Sequence, residues 1–129
     1  MRSVAGVSIR DALVFLARRR PGGDIGGKWE FPGGKCEEGE GDETAVLREF
    51  REEFGLSVTA GAIIGKSSFA NNGKTYELAA IQVLFEGEPP FLHEHVACRW
   101  VGAEELVKID LADSDRSLLP FVLPLLVVS

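Results

Sequence analysis

The stretch GDETAVLREFREEFG, Gly41 to Gly55, constrains this chain most, because residue type marks both its ends and both its faces. Gly41 can cap a helix start, Asp42 and Glu43 place negative charge in the first turn where the helix dipole favours it, and Gly55 supplies the left-handed residue that closes a helix. Between them Val46, Leu47, Phe50 and Phe54 form an apolar stripe that must be buried. Glu49, Glu52 and Glu53 lie on the flank of that stripe, at i, i+3 and i+4, and project within an arc of about 100°. Like charges this close cost roughly 1 to 3 kcal/mol per pair, depending on the effective dielectric. A solvated acidic face would tolerate them; a divalent cation would turn the repulsion into coordination.

The segments around this helix predict an α/β chain. SVAGVSI and ALVFLA flank Arg10 and Asp11 and read as two strands joined by a tight turn. The basic trio Arg18, Arg19 and Arg20 follows. PGGDIGGKWEFPGGK then holds six glycines and two prolines in fifteen residues, which predicts a long loop of the kind that is usually functional. Downstream, GAIIGKSSFA and YELAAIQVLF bracket Asn72-Gly73, a hairpin signal. CRWV reads as a short strand, and GAEELVKI and DSDRSLLPFVL as short helical pieces. Strands and helices are interspersed, so a mixed sheet is expected, and 129 residues fit one domain over 1–129.

Charge narrows the partners. With 14 Lys and Arg against 20 Asp and Glu, the net charge is −6, which argues against a nucleic-acid polymer as partner. A polyanionic substrate would need local basic residues or a metal as mediator. Cys36 and Cys98 form no CxxC pair and read as reduced thiols of a cytoplasmic protein. No apolar run long enough for a signal peptide precedes Arg10 and Asp11. The apolar tail LLPFVLPLLVVS is short for a bilayer span of about 20 residues and carries Pro120 and Pro124. No membrane partner is expected; the tail packs on the core or makes a dimer contact, leaving monomer and homodimer both open.

The glycine-rich loop can bring backbone carbonyls beside the helix, and together with carboxylates these are hard oxygen ligands suited to Mg²⁺ or Mn²⁺. The residues carrying such a site have a fixed spacing: Gly34, five residues, Glu40, seven residues, then Arg48-Glu49-Phe50-x-Glu52-Glu53-x-Gly55-Leu56. This resembles the Nudix box at every position, with Phe50 where an aliphatic residue is commoner. Chance agreement has a probability on the order of 10⁻⁶ for a chain of this composition. GGKWEFPGGK and the preceding ARRR resemble the MutT-type branch, and CRWV with LADSDRSLL resembles the family's C-terminal half.

The resemblance implies a Nudix-type α/β/α sandwich and hydrolysis of nucleoside triphosphates to a monophosphate and pyrophosphate, a chemistry of nucleotide pool sanitation and DNA repair. It implies Glu49, Glu52 and Glu53 as metal ligands, the Gly33 carbonyl as a further ligand, and Glu40 as an outer-shell or second-metal group. Arg48 would orient the cluster through a glutamate, with Glu52 in reach at i+4. Arg19 would contact phosphate, its plain alternative being surface solubility. Glu94, six residues before Trp100, would bind metal or act as base, its alternative being a solvated loop acid. The attacking water's proton would go to Glu52 or Glu94. Asp115 would read the base edge, its alternative being an N-cap of the last helix. His93 and His95 lack zinc spacing and read as loop histidines. An oxidised guanine nucleotide such as 8-oxo-dGTP is the first substrate reading, with a CTP-like triphosphate beside it.

Two other readings compete. ADP-ribose and dinucleoside polyphosphate branches tend to carry a Pro or Tyr beyond the box, where this chain has Asn71-Asn72-Gly73-Lys74. A non-catalytic nucleotide-binding module would be expected to have lost box glutamates, and all are present.

Overall fold

The computed structural model describes residues 1–23 and 26–127. In chain order its elements are β1 (Arg2–Val7), β2 (Ile9–Arg10), β3 (Leu13–Arg19), β4 (Trp29–Glu30), β5 (Gly33–Lys35), α1 (Asp42–Phe54), β6 (Thr59–Asn71), β7 (Lys74–Leu84) and β8 (His95–Val101). Then come α2 (Ala103–Lys108), α3 (Asp113–Arg116), α4 (Leu119–Val122) and a 3-10 turn, Leu123–Leu126. The mixed α/β character expected from the sequence is present, but the strands divide between two sheets. One runs β5-β1-β7-β6, with β1 parallel to β7 and antiparallel to β5. The other runs β2-β3-β4, with β8 also paired to β3.

Successive strand residues point to opposite faces, and here both faces are buried. Val4, Phe15, Ala17, Ile81 and Val83 pack with Ala45, Val46, Phe50 and Phe54 of α1. Their neighbours Ala5, Val7, Val14, Leu16 and Ala80 pack instead with Leu106, Leu118, Val122 and Leu126 from the C-terminal helices. The strands are therefore the middle layer of an α/β/α sandwich. The apolar tail finds its place there, as far as it is described; residues 128–129 lie outside the described residues. Among the described residues no helix is long and apolar enough to cross a membrane.

Three local expectations meet different outcomes. The helix limits are as read: Gly41 caps α1 in an extended conformation and Gly55 is left-handed at φ 67°. The β6–β7 hairpin turns at Asn72 and Gly73, with φ of 51° and 75°, the positive values a two-residue I′-type turn requires. The first expected hairpin is corrected. Only Ile9↔Val14 and Arg10↔Leu13 pair across the turn at Asp11 and Ala12, while β1 leaves for the other sheet and runs parallel to β7 from Arg2↔Glu77 to Val7↔Gln82. A continuous apolar run such as VAGV suits a strand covered on both faces, the usual state of parallel pairs.

The expected long loop is also shorter than the sequence reading. β4 pairs Trp29 and Glu30 with β3, and β5 pairs Gly33 to Lys35 with β1. The Asp24-Ile25 part of that loop lies outside the described residues. Cys36 and Cys98 are free thiols, and burial pushes both upward in pKa.

Candidate active site

The three glutamates of α1 share a flank but not an environment. Glu49 is buried, Glu53 is partly buried, and Glu52 is exposed. Glu49 turns inward because the helix lies close on β5, where Gly34 makes room for its carboxylate and Gly33 lets β5 lie against β1. A Cβ on Gly34 would sit 2.7 Å from Glu49 Oε1, and one on Gly33 would sit 2.0 Å from the Val4 carbonyl oxygen. The sequence-predicted Gly33 is thus one residue from the point where β5 meets the Glu49 carboxylate.

Arg48 ties four groups together. Its Nε donates to Glu40 Oε2 at 2.8 Å, and Nη2 donates to Glu40 Oε1 at 2.9 Å and to the Lys35 carbonyl at 3.0 Å. Its Nη1 donates to Glu49 Oε1 at 3.0 Å and Glu52 Oε2 at 3.2 Å. This planar fork holds carboxylates whose charges would otherwise force them apart. The Arg48 hydrogen bonds bring Glu40 down to a pKa of about 2. Glu49 moves the other way: burial raises it and Arg48 only partly offsets the rise. Both oxygens of Glu40 serve Arg48, so its geometry is that of a supporting group.

Glu53 stands apart from this network. Its Oε2 is buried without a hydrogen-bond partner, and so is Nδ1 of His95, 3.9 Å away. His95 is no loop histidine. It opens β8, its side chain is 1% exposed, its ring stacks on Phe54, and its Nε2 lies 2.8 Å from Glu30 Oε2. Burial raises the Glu53 pKa, the neighbouring His95 opposes that rise and Glu94 adds to it.

Sequence reasoning missed Glu30 as well. Its signal was an acid set between the aromatics Trp29 and Phe31, where a strand must bury it and something must pair with it. Arg19 Nη1 approaches the same Glu30 Oε2 at 3.5 Å. The neighbouring arginines are engaged elsewhere, Arg18 on the Gly27 carbonyl and Arg20 on the His93 carbonyl.

The remaining two predicted residues lie on either side of this cluster. Glu94 is exposed, with Oε1 3.4 Å from His93 Nε2, and is outside the Arg48 network. Asp115 is buried within α3, where its Oδ2 accepts a hydrogen bond from the Phe31 N–H at 2.9 Å. That position removes the capping alternative, since the last helix, α4, has Leu118 as its cap residue and α3 itself has Ala112. Burial, with Glu30 adding to it, pushes the Asp115 carboxyl up to about 8.

A glycine-lined acidic helix, organised by one arginine and flanked by a second basic group, is an arrangement for handling phosphates. Comparison with known proteins agrees: the NUDIX domain model matches residues 1–122. The chain belongs to the Nudix family. It is 38% identical over 117 residues to the CTP pyrophosphohydrolase of Escherichia coli K12, covering 90% of this chain and 86% of the relative. The 8-oxo-dGTP diphosphatase of Proteus vulgaris is 54% identical over 46 residues, 36% of this chain and 41% of that one. The solution structure of the E. coli ORF135 protein superposes with a TM-score of 0.85 at 36% identity, covering 96% of this chain and 89% of that chain. The protein is a MutT-like Nudix hydrolase acting on phosphoanhydride bonds of nucleotides.

Nudix hydrolases work with divalent metal ions, and the donor set of this one fits such an ion. Among the described residues no three potential ligands already converge on one point. Arg48 draws Glu49 and Glu52 to itself. The carboxylates are hard oxygen donors, Glu53 lies outside the Arg48 hydrogen bonds, and Gly34 leaves the Glu49 carboxylate uncovered by any side chain of its own.

The buried Asp115 makes stability of this Nudix hydrolase depend on pH. Its native pKa of about 8 lies above the ordinary 3.8, so between those values the folded protein holds a proton that the unfolded chain has released. Stability from this group is therefore lost as pH rises through that window. Asp115→Asn keeps an acceptor for the Phe31 N–H and cannot ionise. Its stability relative to wild type should increase steadily from pH 4 to pH 8. Thermal melts at several pH values check this, and parallel curves for the two proteins would refute it.

Proposed function

We propose that this chain, as a single Nudix domain over 1–129, is a MutT-type nucleoside triphosphate pyrophosphohydrolase that works in the cytoplasm with Mg²⁺ or Mn²⁺. The observation that carries this reading is the carboxylate flank of α1, where Arg48 holds Glu49 and Glu52 in place and Glu53 lies outside its hydrogen bonds. Glu49, Glu52 and Glu53, with the Gly33 carbonyl, would hold the cation, and Glu40 would act through Arg48. When bound, a divalent cation neutralises polyphosphate charge and acidifies water.

The chain's own residues supply the rest. Arg19, the arginine of the trio not committed to a backbone carbonyl, steadies the phosphates. Water adds to phosphorus, the P–O bond of the anhydride breaks, and nucleoside monophosphate and pyrophosphate leave. The water's proton goes to a carboxylate. Glu94 suits that duty because it is exposed and no arginine engages it, whereas Glu52 shares Arg48 with Glu40 and Glu49.

A neutral Asp115 carboxyl offers one donor and one acceptor. Cytosine presents the matching pair through its N4 amine and N3, and an oxidised guanine presents another. The CTP pyrophosphohydrolase and the 8-oxo-dGTP diphosphatase among the relatives support the same two bases. The test is a panel of CTP, dCTP, dGTP, 8-oxo-dGTP, ADP-ribose and a dinucleoside polyphosphate, with Mg²⁺ and separate detection of pyrophosphate and phosphate. A cytidine or oxidised guanine triphosphate should lead by about 10-fold or more in kcat/KM and release pyrophosphate. Turnover confined to ADP-ribose or the dinucleotide, or binding without hydrolysis, would overturn the reading.

A further inference from the structure

We propose that His95 is the positioning residue for Glu53, linking that glutamate to the buried Glu30 on the opposite side of the ring. This rests on the reading of Glu53 as a cation ligand. Burial and two contacts limit the movement of the imidazole. Its side chain is 1% exposed, its ring lies nearly parallel to that of Phe54 at 13° with centroids 5.1 Å apart, and its Nε2 is 2.8 Å from Glu30 Oε2. With the plane set by the stack and the rotation set by Glu30, Nδ1 has one direction left, and it faces Glu53 Oε2 at 3.9 Å.

Neither of those two atoms has another hydrogen-bond partner, although both are buried. Buried polar atoms are nearly always paired, so two orphans facing each other mark a bond that a movement of about 1 Å would close. The glutamate is the partner that moves, because its chain has three rotatable bonds and the ring is held on two sides. The two ring nitrogens thus face two carboxylates, Glu30 through Nε2 and Glu53 through Nδ1. One Glu53 oxygen is then turned into the protein, and the other is left to face the flank shared with Glu49 and Glu52. Outer partners of this kind commonly set the orientation of a ligand.

Three variants separate this role from packing. His95→Phe keeps the ring on Phe54 and deletes both nitrogens, His95→Asn places an amide near the position of Nδ1, and His95→Gln places one near Nε2. The measurements are calorimetric Mn²⁺ affinity of the nucleotide-free protein, kcat and KM taken separately, and melting temperature. His95→Phe should weaken Mn²⁺ binding and lower kcat, each by about 10- to 100-fold, with little change in KM. His95→Asn should regain most of both, and His95→Gln should not.

A folded Phe variant with wild-type Mn²⁺ affinity and kcat would overturn the proposal. So would a Gln variant equal to or better than the Asn variant, which would assign His95 to Glu30 alone. Should the Phe variant fail to fold, the Asn and Gln comparison still decides. A wild-type protein that takes up no Mn²⁺ would overturn the proposed cation site along with this one, whereas normal wild-type uptake with unchanged variants overturns only the role of His95.

Discussion

Replacing Glu53 by Gln is expected to lower kcat by a factor of about 10³ or more while leaving the metal-free protein as stable as wild type or slightly more so. The two effects have opposite signs for one reason. Burial disfavours the charged Glu53 side chain, raising its pKa, and a neutral amide of the same shape relieves that cost. The folded protein then keeps a proton on Glu53 to higher pH than the unfolded chain does, so wild-type stability falls as pH rises through the Glu53 titration. The Gln variant escapes that loss. Its advantage should be present at neutral pH and vanish in acid, where both side chains are uncharged. Glu52→Gln should lose activity on a similar scale without gaining stability, since the Glu52 side chain is 57% exposed. Single-turnover rates with Mg²⁺ and melting curves without it read the two effects separately. Wild-type rates in both variants would remove the glutamates from the chemistry.

A second large effect is expected at Gly33. Gly33→Ala would place a Cβ 2.0 Å from the Val4 carbonyl oxygen and 2.8 Å from its carbon, both backbone atoms of a strand paired on its two sides. No rotamer change can relieve that contact. Either β5 leaves β1 or β1 shifts against β7, and the cost should be about 3 kcal/mol or more, a fall of about 10 °C in Tm. Gly34→Ala is the control one residue away. The atoms nearest its Cβ would be those of the Glu49 carboxylate, the end of a side chain that can swing. The expected result is a small change in Tm with weakened Mn²⁺ uptake. Circular dichroism melts decide the first, and a Gly33→Ala Tm within about 2 °C of wild type would show that β5 is not seated as described.

Much of the helix and its chemistry could be read from residue order. Gly41, Gly55 and the Val46, Phe50 and Phe54 stripe mark α1 because caps and helical periodicity act within a few residues. Asn72-Gly73 marks the β6–β7 turn for the same reason, since positive φ is a local demand. The spacing from Gly34 to Leu56 identified the family, because it records which groups the chemistry needs. The spacing could not report that Glu49 is buried, Glu52 exposed and Glu53 unpaired against His95.

The destination of β1 shows where local information stops. The sequence showed a turn at Arg10 and Asp11, one residue before its place at Asp11 and Ala12, but the choice of β7 as partner for Arg2–Val7 depends on residues some 75 positions away, read from Arg2↔Glu77. Glu30 and His95 meet only because β4 and β8 both pair with β3, which brings together side chains 65 residues apart. Residue order alone determined the chemical type of the site, an acidic helix beside a glycine-rich strand. Tertiary packing alone decided which carboxylates are held, which is left without a partner and which histidine faces it, because burial and long-range strand pairing are properties of the assembled layers.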